Sequence, residues 1–404
     1  MKLLFTSPVL EHPAAGGSQL RIENSIKALS QLCDMTIISR CPVVLSGGEE
    51  ASSFYRRYCR CLEVTPATRR RSANRYVRKL QTIAESITQS TADADARFIL
   101  NRVRESDIRC IWFGYGNISF PLIQRIKSTN PDLKVVCDTD SVWSRFILRE
   151  LPYATGLRRR WIERLGRKKE AEEREWVNFC DITTAVSDID AEYYRTIATE
   201  PSRVRIFSNV IDLVTYEESP PPPPNFRKPC MYLAGTFGRF HSPMDTAARW
   251  VLDEVLPHVR ARIPNIHFYI VGAGSDRTLR HRQSTNVTVT GKLPSVLPYL
   301  RSADVALVPL KYESGTRFKI LEAGACGVPL VSTTLGAEGI PVTSGKDIIL
   351  ADSAEEFASA IVRLIQDRPF AETVARNCRR LIRERYSVDT LVKQGRDILE
   401  TLAA

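Results

Sequence analysis

The chain has 404 residues, 43% hydrophobic and 25% charged, with a formal net charge of +11. A chain of this size and make-up favours two soluble domains and needs no disulfide staples. No run approaches 18 apolar residues, which excludes a membrane-spanning helix. The basic surplus points to an anionic partner (nucleotide phosphate, an anionic membrane surface or nucleic acid) or to a solvated basic surface.

Ten cysteines are scattered, only Cys59 and Cys61 lie close together, and no CxxC pair exists, which argues against zinc. They read as a reduced, cytosolic thiol set. The start, Met1–Thr6, reads as a strand rather than a signal peptide.

In chain order, KLLFTSPV is a short apolar strand. The loop after it carries Gly16 and Gly17, then comes a helix through Leu20, Ile26 and Leu29, then DMTIISR as a second strand. Strand, glycine loop, helix and strand open a doubly wound domain. IRCIWFGY, KVVCDTD and CDITTAVSD are later strands, and DAEYYRTIA is a helix. Two basic stretches, Arg69–Lys79 and Arg158–Lys169, read as helices. The second interleaves Arg and Lys with Trp161, Ile162 and Leu165. That pattern fits a helix lying on an anionic membrane or touching an acceptor, and equally a solvated face. The run Pro220–Pro224 favours a stiff connector.

The second half alternates strands (CMYLAGTF, IHFYIVGAG, NVTVTG, DVALVPL, PLVSTT) with helices (DTAARWVLDEVLPHV, FKILEAGACG), which implies a parallel sheet. The tail from about Ala371 to Leu402 is helical, with a break near Tyr386–Ser387. The expected division is residues 1–215 and 230–385 as two domains, 216–229 as linker, and 386–404 as a C-terminal helix returning to the first domain.

The stretch from Glu313 to Ile340, ESGTRFKILEAGACGVPLVSTTLGAEGI, carries the chemistry. Gly315 and Thr316 stand where a loop becomes a helix, and Ser314 or Thr316 can cap it. Free N–H groups there form an anion site, to which Arg317 and Lys319 add charge. Glu322, about one turn beyond Lys319, can accept hydrogen bonds from two ribose hydroxyls. Spacing alone leaves two readings open: a nucleotide diphosphate site, or a helix start in which Lys319 pairs with Glu322.

This stretch resembles the signature of family 4 retaining glycosyltransferases, in which two glutamates are separated by seven residues and the second opens an "EAMACGxPVVxT" run. Glu322, Ala323, Ala325, Cys326, Gly327 and Pro329 match that second half. The series GTF, VLPHV, FYIVGAG, VTVTG, ADVALVPL and ERYS follows in the family's order. The resemblance is close from Met231 to about Ser387 and loose before it, through Gly16–Gly17, DTDSVW, AVSD and SNVID. It implies an α/β fold of GT-B architecture, with two Rossmann-like doubly wound parallel-sheet domains facing across a cleft.

The sequence also departs from the pattern. The first glutamate falls at Ser314, with Glu313 one position off, as in a sub-branch with a GTRxK-type motif. The family's phosphate-binding Arg falls at Thr236, after Gly235; the region of its Lys holds none, and Arg239 is shifted. Arg317 and Lys319 are therefore expected to supply the missing charge.

The resemblance implies backbone contacts to the base at Gly291, Lys292 and Leu293, with Val296 either flanking the base or packing in the core. Gly272 and Gly274 end a strand where ligands sit, or are turn glycines. Gly16 and Gly17 let backbone approach the donor. Asp138 and Asp140 close a strand toward the cleft; Asp140 either meets the donor sugar or caps a turn. Glu173 is expected to pair with Arg167 or Lys169.

The implied reaction is retaining transfer from a UDP- or GDP-sugar to a glycan or lipid-linked acceptor, in polysaccharide or glycolipid synthesis at the inner membrane face. Arg317 and Lys319 would steady the leaving diphosphate, and no metal is required. Competing readings are a silent partner subunit that binds nucleotide sugar or another transferase, another GT-B enzyme such as an epimerase or phosphorylase, and a nucleic-acid binder. The last finds no recognition motif.

Overall fold

The computed structural model describes all residues except 15, 42–47, 67–89, 239–241, 314, 316 and 404. The basic stretch Arg69–Lys79 and the shifted Arg239 lie outside the described residues. Contacts divide the chain into two units: Met1–Ser144 with Arg167–Asn209 and Val388–Ala404, and Arg145–Gly166 with Val210–Ser387.

The first unit holds seven strands: β1 (Lys2–Ser7), β2 (Asp34–Ser39), β3 (Cys61–Val64), β4 (Cys110–Gly114), β5 (Lys134–Asp138), β6 (Ile182–Ala185) and β7 (Val204–Ile206). They form one parallel sheet in the order β3-β2-β1-β4-β5-β6-β7. The inner strands are apolar runs buried along their length, as in CIWFG and all but the first residue of KVVCD, because helices cover both faces of a parallel sheet. Its helices are α1 (Gly17–Leu29), α2 (Gly48–Arg56), α3 (Ser90–Ser106) and α4 (Phe120–Thr129); α5 (Trp143–Leu148) begins in it and passes into the second unit, α6 (Gly156–Phe179) begins in the second unit and returns to the first at Arg167, and α7 (Asp188–Ile197) follows. Strand order reverses between β1 and β4, the switch point at which such sheets bind ligands.

The second unit has a six-stranded parallel sheet in the order β10-β9-β8-β11-β12-β13. Its strands are β8 (Cys230–Ala234), β9 (His267–Val271), β10 (Val287–Val289), β11 (Val305–Val308), β12 (Leu330–Ser332) and β13 (Ile349–Leu350). Its helices are α8 (Pro243–Trp250), α9 (Leu256–Arg262), α10 (Ser275–Thr278), α11 (Leu297–Ser302), α12 (Phe318–Cys326), α13 (Ala354–Gln366) and α14 (Arg368–Arg385). A π-helical turn, Val251–Val255, joins α8 to α9 just before Pro257. Proline has no N–H for the bond back to residue 253, so the helix widens there. Gly327 ends α12 in the left-handed conformation at φ 68°.

The chain then returns to the first unit as α15 (Val388–Ala403), which packs on α1. A side chain at Gly395 would come within 3.2 Å of Leu32 and 3.3 Å of Leu29, so glycine sets how closely α15 approaches. Gln394 accepts from the Ser208 backbone N–H at 2.8 Å.

The Pro220–Pro224 run lies inside the second unit, whose main segment begins ten residues earlier at Val210. All ten cysteines are free thiols. Burial pushes Cys230, Cys326 and Cys378 up to about 12, which keeps them protonated.

Candidate functional site

In the second unit three loops leave the carboxyl edges of β8, β9 and β10 and are tied backbone to backbone. Gly235 N–H donates to Val271 O at 3.0 Å, Phe237 N–H to Ala273 O at 2.8 Å, and Gly272 N–H to Gly291 O at 3.2 Å. Gly272 has φ +131°, and a Cβ there would lie 2.0 Å from Gly235 O. At Gly274, φ +83°, a Cβ would lie 2.5 Å from Phe237 O. Both glycines are therefore required by close backbone approach. The result is a ledge without side chains, flanked by exposed Thr236 and Lys292 and half-buried Leu293. Val296 precedes α11 and packs against the core.

Next along the same sheet edge, after β11, lies the loop that opens α12. Arg317 is its N-cap residue, and no side chain among the described residues caps the helix. Ser314 and Thr316 lie outside the described residues. Gly315 is buried with φ +83°. Arg317 is buried (3% exposed) and turned into its own loop, with Nη1 donating to Gly315 O and Nε 3.5 Å from Glu313. Lys319 is half-buried and makes no hydrogen bond or ion pair among the described residues. The direct Lys319–Glu322 pairing that spacing allowed is thus not formed; the lysine acts on Glu322 only at longer range.

Glu322 accepts a hydrogen bond from Tyr216 Oη at 2.8 Å. Burial raises its pKa, against the opposing effects of Tyr216 and Lys319. Tyr216 is held in turn by Arg301, which donates to the Tyr216 and Cys326 carbonyls.

A second device steadies the α12 loop. Arg149 makes a bidentate pair with Glu338, at 2.8 and 2.7 Å, and donates to Glu313 O at 2.7 Å. Arg145 lies 3.6 Å from Glu338. Burial opposes ionisation of Glu338, but the Arg149 hydrogen bonds and the charges of Arg149, Arg145 and Arg317 outweigh it and lower its pKa. Sequence reading missed Tyr216, Arg145 and Arg149. Glu338 stood inside the quoted Glu313–Ile340 stretch without an assigned role.

In the first unit, α1 begins at the carboxyl edge of β1 with Gly16 as an uncapped N-cap in extended conformation and Gly17 exposed. Asp138, expected to close β5 toward a cleft, is fully buried. It pairs with Arg21 of α1 and accepts from Thr184 Oγ1 at 2.6 Å. Arg21 also donates to Asn209 Oδ1 at 2.8 Å and Phe207 O at 3.1 Å. Asp138 is therefore an internal anchor, because a carboxylate removed from water requires such partners.

Asp140, two residues on, is half-buried and accepts from Asn117 Nδ2 at 3.2 Å and Trp143 Nε1 at 3.0 Å. Burial raises its pKa. Tyr115, in the left-handed conformation at φ 57°, is buried near Asp140, and burial, with the Asp140 charge, raises the pKa of its hydroxyl. Asp140 shares the switch-point edge with the start of α1.

Glu173 does not pair with Arg167 or Lys169. It is buried, accepts from Ser144 N–H at 2.9 Å, from Ser144 Oγ and from Tyr193 Oη at 2.8 Å, while Lys169 pairs with Glu172 at 2.6 Å. The helix turns its position 173 inward, which i+4 charge counting does not see.

Comparisons with known proteins agree with this fold. Residues 232–367 match the family model "Glycosyl transferases group 1". The lipopolysaccharide core biosynthesis glycosyltransferase LpsE of Rhizobium meliloti is 28% identical over 123 residues, 28% of this chain and 36% of that protein. The matched stretch thus spans about a third of that relative's length. Two solved structures align over nearly the whole of both chains. Anabaena HepE, in complex with UDP and glucose, has TM-score 0.64 at 15% identity, covering 99% of this chain and 100% of that one. Sucrose-phosphate synthase from Thermosynechococcus elongatus has TM-score 0.70 at 17% identity, covering 100% and 99%. The protein therefore has the two Rossmann-like parallel-sheet domains of GT-B glycosyltransferase structures, and its second domain matches the Glycosyl transferases group 1 family over residues 232–367.

Proposed function

We propose that the protein is a retaining glycosyltransferase that moves a sugar from a UDP- or GDP-sugar to a glycan or lipid-linked acceptor. The observation that carries this reading is one sheet edge bearing, side by side, a glycine ledge, a helix start and a Lys319 that have no cap and no ion-pair partner among the described residues, and the carboxylate of Glu322. That set suits a nucleotide diphosphate. Gly235 and Gly272, whose N–H groups are taken by Val271 O and Gly291 O, keep side chains away from the phosphates, Thr236 offers backbone to them, and Gly291–Leu293 offer backbone to the base. Lys319 and the α12 N–H groups take the leaving charge, and Glu322 takes the ribose hydroxyls. Arg317 adds positive charge from its buried place at the start of α12, and Ser314, Gly315 and Thr316 are assigned to donor binding. In the first domain Gly16, Gly17 and Asp140 are assigned to the donor sugar. Matches to lipopolysaccharide core synthesis and to a UDP-bound structure support the substrate class.

In the proposed step the bond from the sugar C1 to the β-phosphate oxygen breaks while the acceptor oxygen bonds to C1 on the same face. The acceptor proton passes to an oxygen of the departing diphosphate. Lys319 and the helix N–H groups lower the barrier by meeting charge that grows on that diphosphate. No protein nucleophile and no metal ligand is assigned.

The discriminating experiment is donor turnover. Purified protein incubated with UDP- and GDP-sugars should release the free nucleotide diphosphate, slowly with water and faster with acceptor. Nucleotide binding with no turnover, across donors and acceptor extracts, would instead support a silent partner subunit.

A further inference from the structure

The first turns of α6 expose an apolar face that no described residue of the second unit covers. Among the described residues eight large hydrophobic side chains are exposed, and three of them fall within nine residues: Tyr153 (52%), Leu157 (83%) and Trp161 (63%). Leu157 and Trp161 stand four apart and are helix neighbours; Arg160 and Arg164, at the intervening i+3 and i+7 positions, share their face.

The orientation is fixed from the other side. Ile162 is 1% exposed, and a side chain at Gly166 would lie 2.3 Å from Leu148, so that face is packed. Arg158 is engaged by Glu150, and Arg159 donates to Leu151 O at 3.0 Å. Arg160 and Arg164 are exposed and have no hydrogen bond or ion pair among the described residues. Tyr153 is tied down by its ring against Tyr312, at 5.5 Å, and by its hydroxyl to Lys311 O, at 3.3 Å. The patch is therefore held in place rather than carried on a loose tip.

We propose that Leu157, Arg160, Trp161 and Arg164 form a docking face for an anionic lipid bilayer. The indole and the leucine side chain suit the boundary between headgroups and acyl chains, and two unpaired guanidiniums beside them suit lipid phosphates. A second copy of this chain is disfavoured as occupant, because a two-fold contact through this face sets arginines against arginines. The chain's net charge of +11 adds attraction toward the same surface. This inference is independent of the reading of the nucleotide site.

The test is co-sedimentation of the full chain, without nucleotide, with vesicles of phosphatidylcholine alone and of an equal mixture with phosphatidylglycerol. Binding should appear with the mixture, weaken with added salt and be weak on phosphatidylcholine. Arg160→Ser with Arg164→Ser should lower partitioning roughly 20- to 30-fold, and Leu157→Ala with Trp161→Ala at least about 10-fold. All four positions are exposed, so an unchanged thermal midpoint confirms that the variants are folded. The proposal is overturned if the wild type ignores the anionic vesicles or if the variants bind them as well as it does. It is also overturned if Trp161→Ala abolishes a concentration-dependent dimer, which would give the face to a second copy.

Discussion

Gly272→Ala probes the ledge on which the proposed nucleotide site rests. The added Cβ would sit 2.0 Å from Gly235 O, where a carbon–oxygen contact settles at about 3.3 Å, so β8 and β9 must part by roughly 1 Å at their carboxyl ends. The backbone at φ +131° adds strain of about 1–3 kcal/mol for a non-glycine residue. The overpacking adds about 1–3 kcal/mol more. Together these give about 2–6 kcal/mol, or a fall in the midpoint of roughly 4–24 °C for a unit of this size. Parting the strands also strains the bonds from Gly235 N–H to Val271 O and from Gly272 N–H to Gly291 O, so nucleotide affinity should fall with stability. Calorimetric melting measures the first effect and nucleotide titration the second. Gly345→Ala is the control: its φ is also positive, at +77°, but nothing lies within 4 Å of the new Cβ, so only conformational strain remains. An unchanged midpoint in Gly272→Ala, or a loss no larger than that of the control, would refute the close-approach argument.

Asp138→Ala should cost about 3–5 kcal/mol, because it leaves the Arg21 guanidinium buried without its carboxylate; denaturant titration checks this, and a loss below 1 kcal/mol would contradict the anchor role. Glu338 has a lowered pKa, so its contribution is present above the ordinary glutamate range and is lost as pH falls through its folded-state value. Glu338→Gln should therefore lower the midpoint at neutral pH by the equivalent of about 2 kcal/mol and flatten the acid limb of the melting profile. Glu322 has a raised pKa, so protons leave it at a higher pH than usual, and nucleotide affinity should climb as pH rises through and just above the ordinary carboxylate range. A flat affinity profile there would argue against a role for the ionised carboxylate.

Much of the fold was legible because its strands are apolar runs that end in glycine or polar turns. KLLFTS, CIWFG, HFYIV and VALV need no partner to be recognised. The short strands Cys61–Val64, Val204–Ile206 and Ile349–Leu350 lack that signal; they exist because a neighbouring strand offers its edge. The glycines of the ledge were visible as a pattern, but the sequence left open whether Gly272 is a simple turn glycine. The approach of Gly235 O decides that it is not.

Long-range partners were the least legible. Tyr216 meets Glu322 from 106 positions away, and Arg149 meets Glu338 from 189. No local spacing rule pairs such residues. Asp138 and Asp140 looked alike in the run DTD, yet β5 ends at the first, which pairs with Arg21 in the core, while the second stays half-open beside Tyr115.

Calorimetric titration of UDP and GDP into the wild type and into Glu322→Ala tests the central claim most directly. Saturable one-site binding of one nucleotide is predicted, weakened in the variant by roughly 10- to 100-fold, as loss of one or two hydrogen bonds to a charged group requires. Absence of binding to either nucleotide by folded wild-type protein, or equal affinity in the variant, would contradict the assignment of this sheet edge as a nucleotide-sugar site.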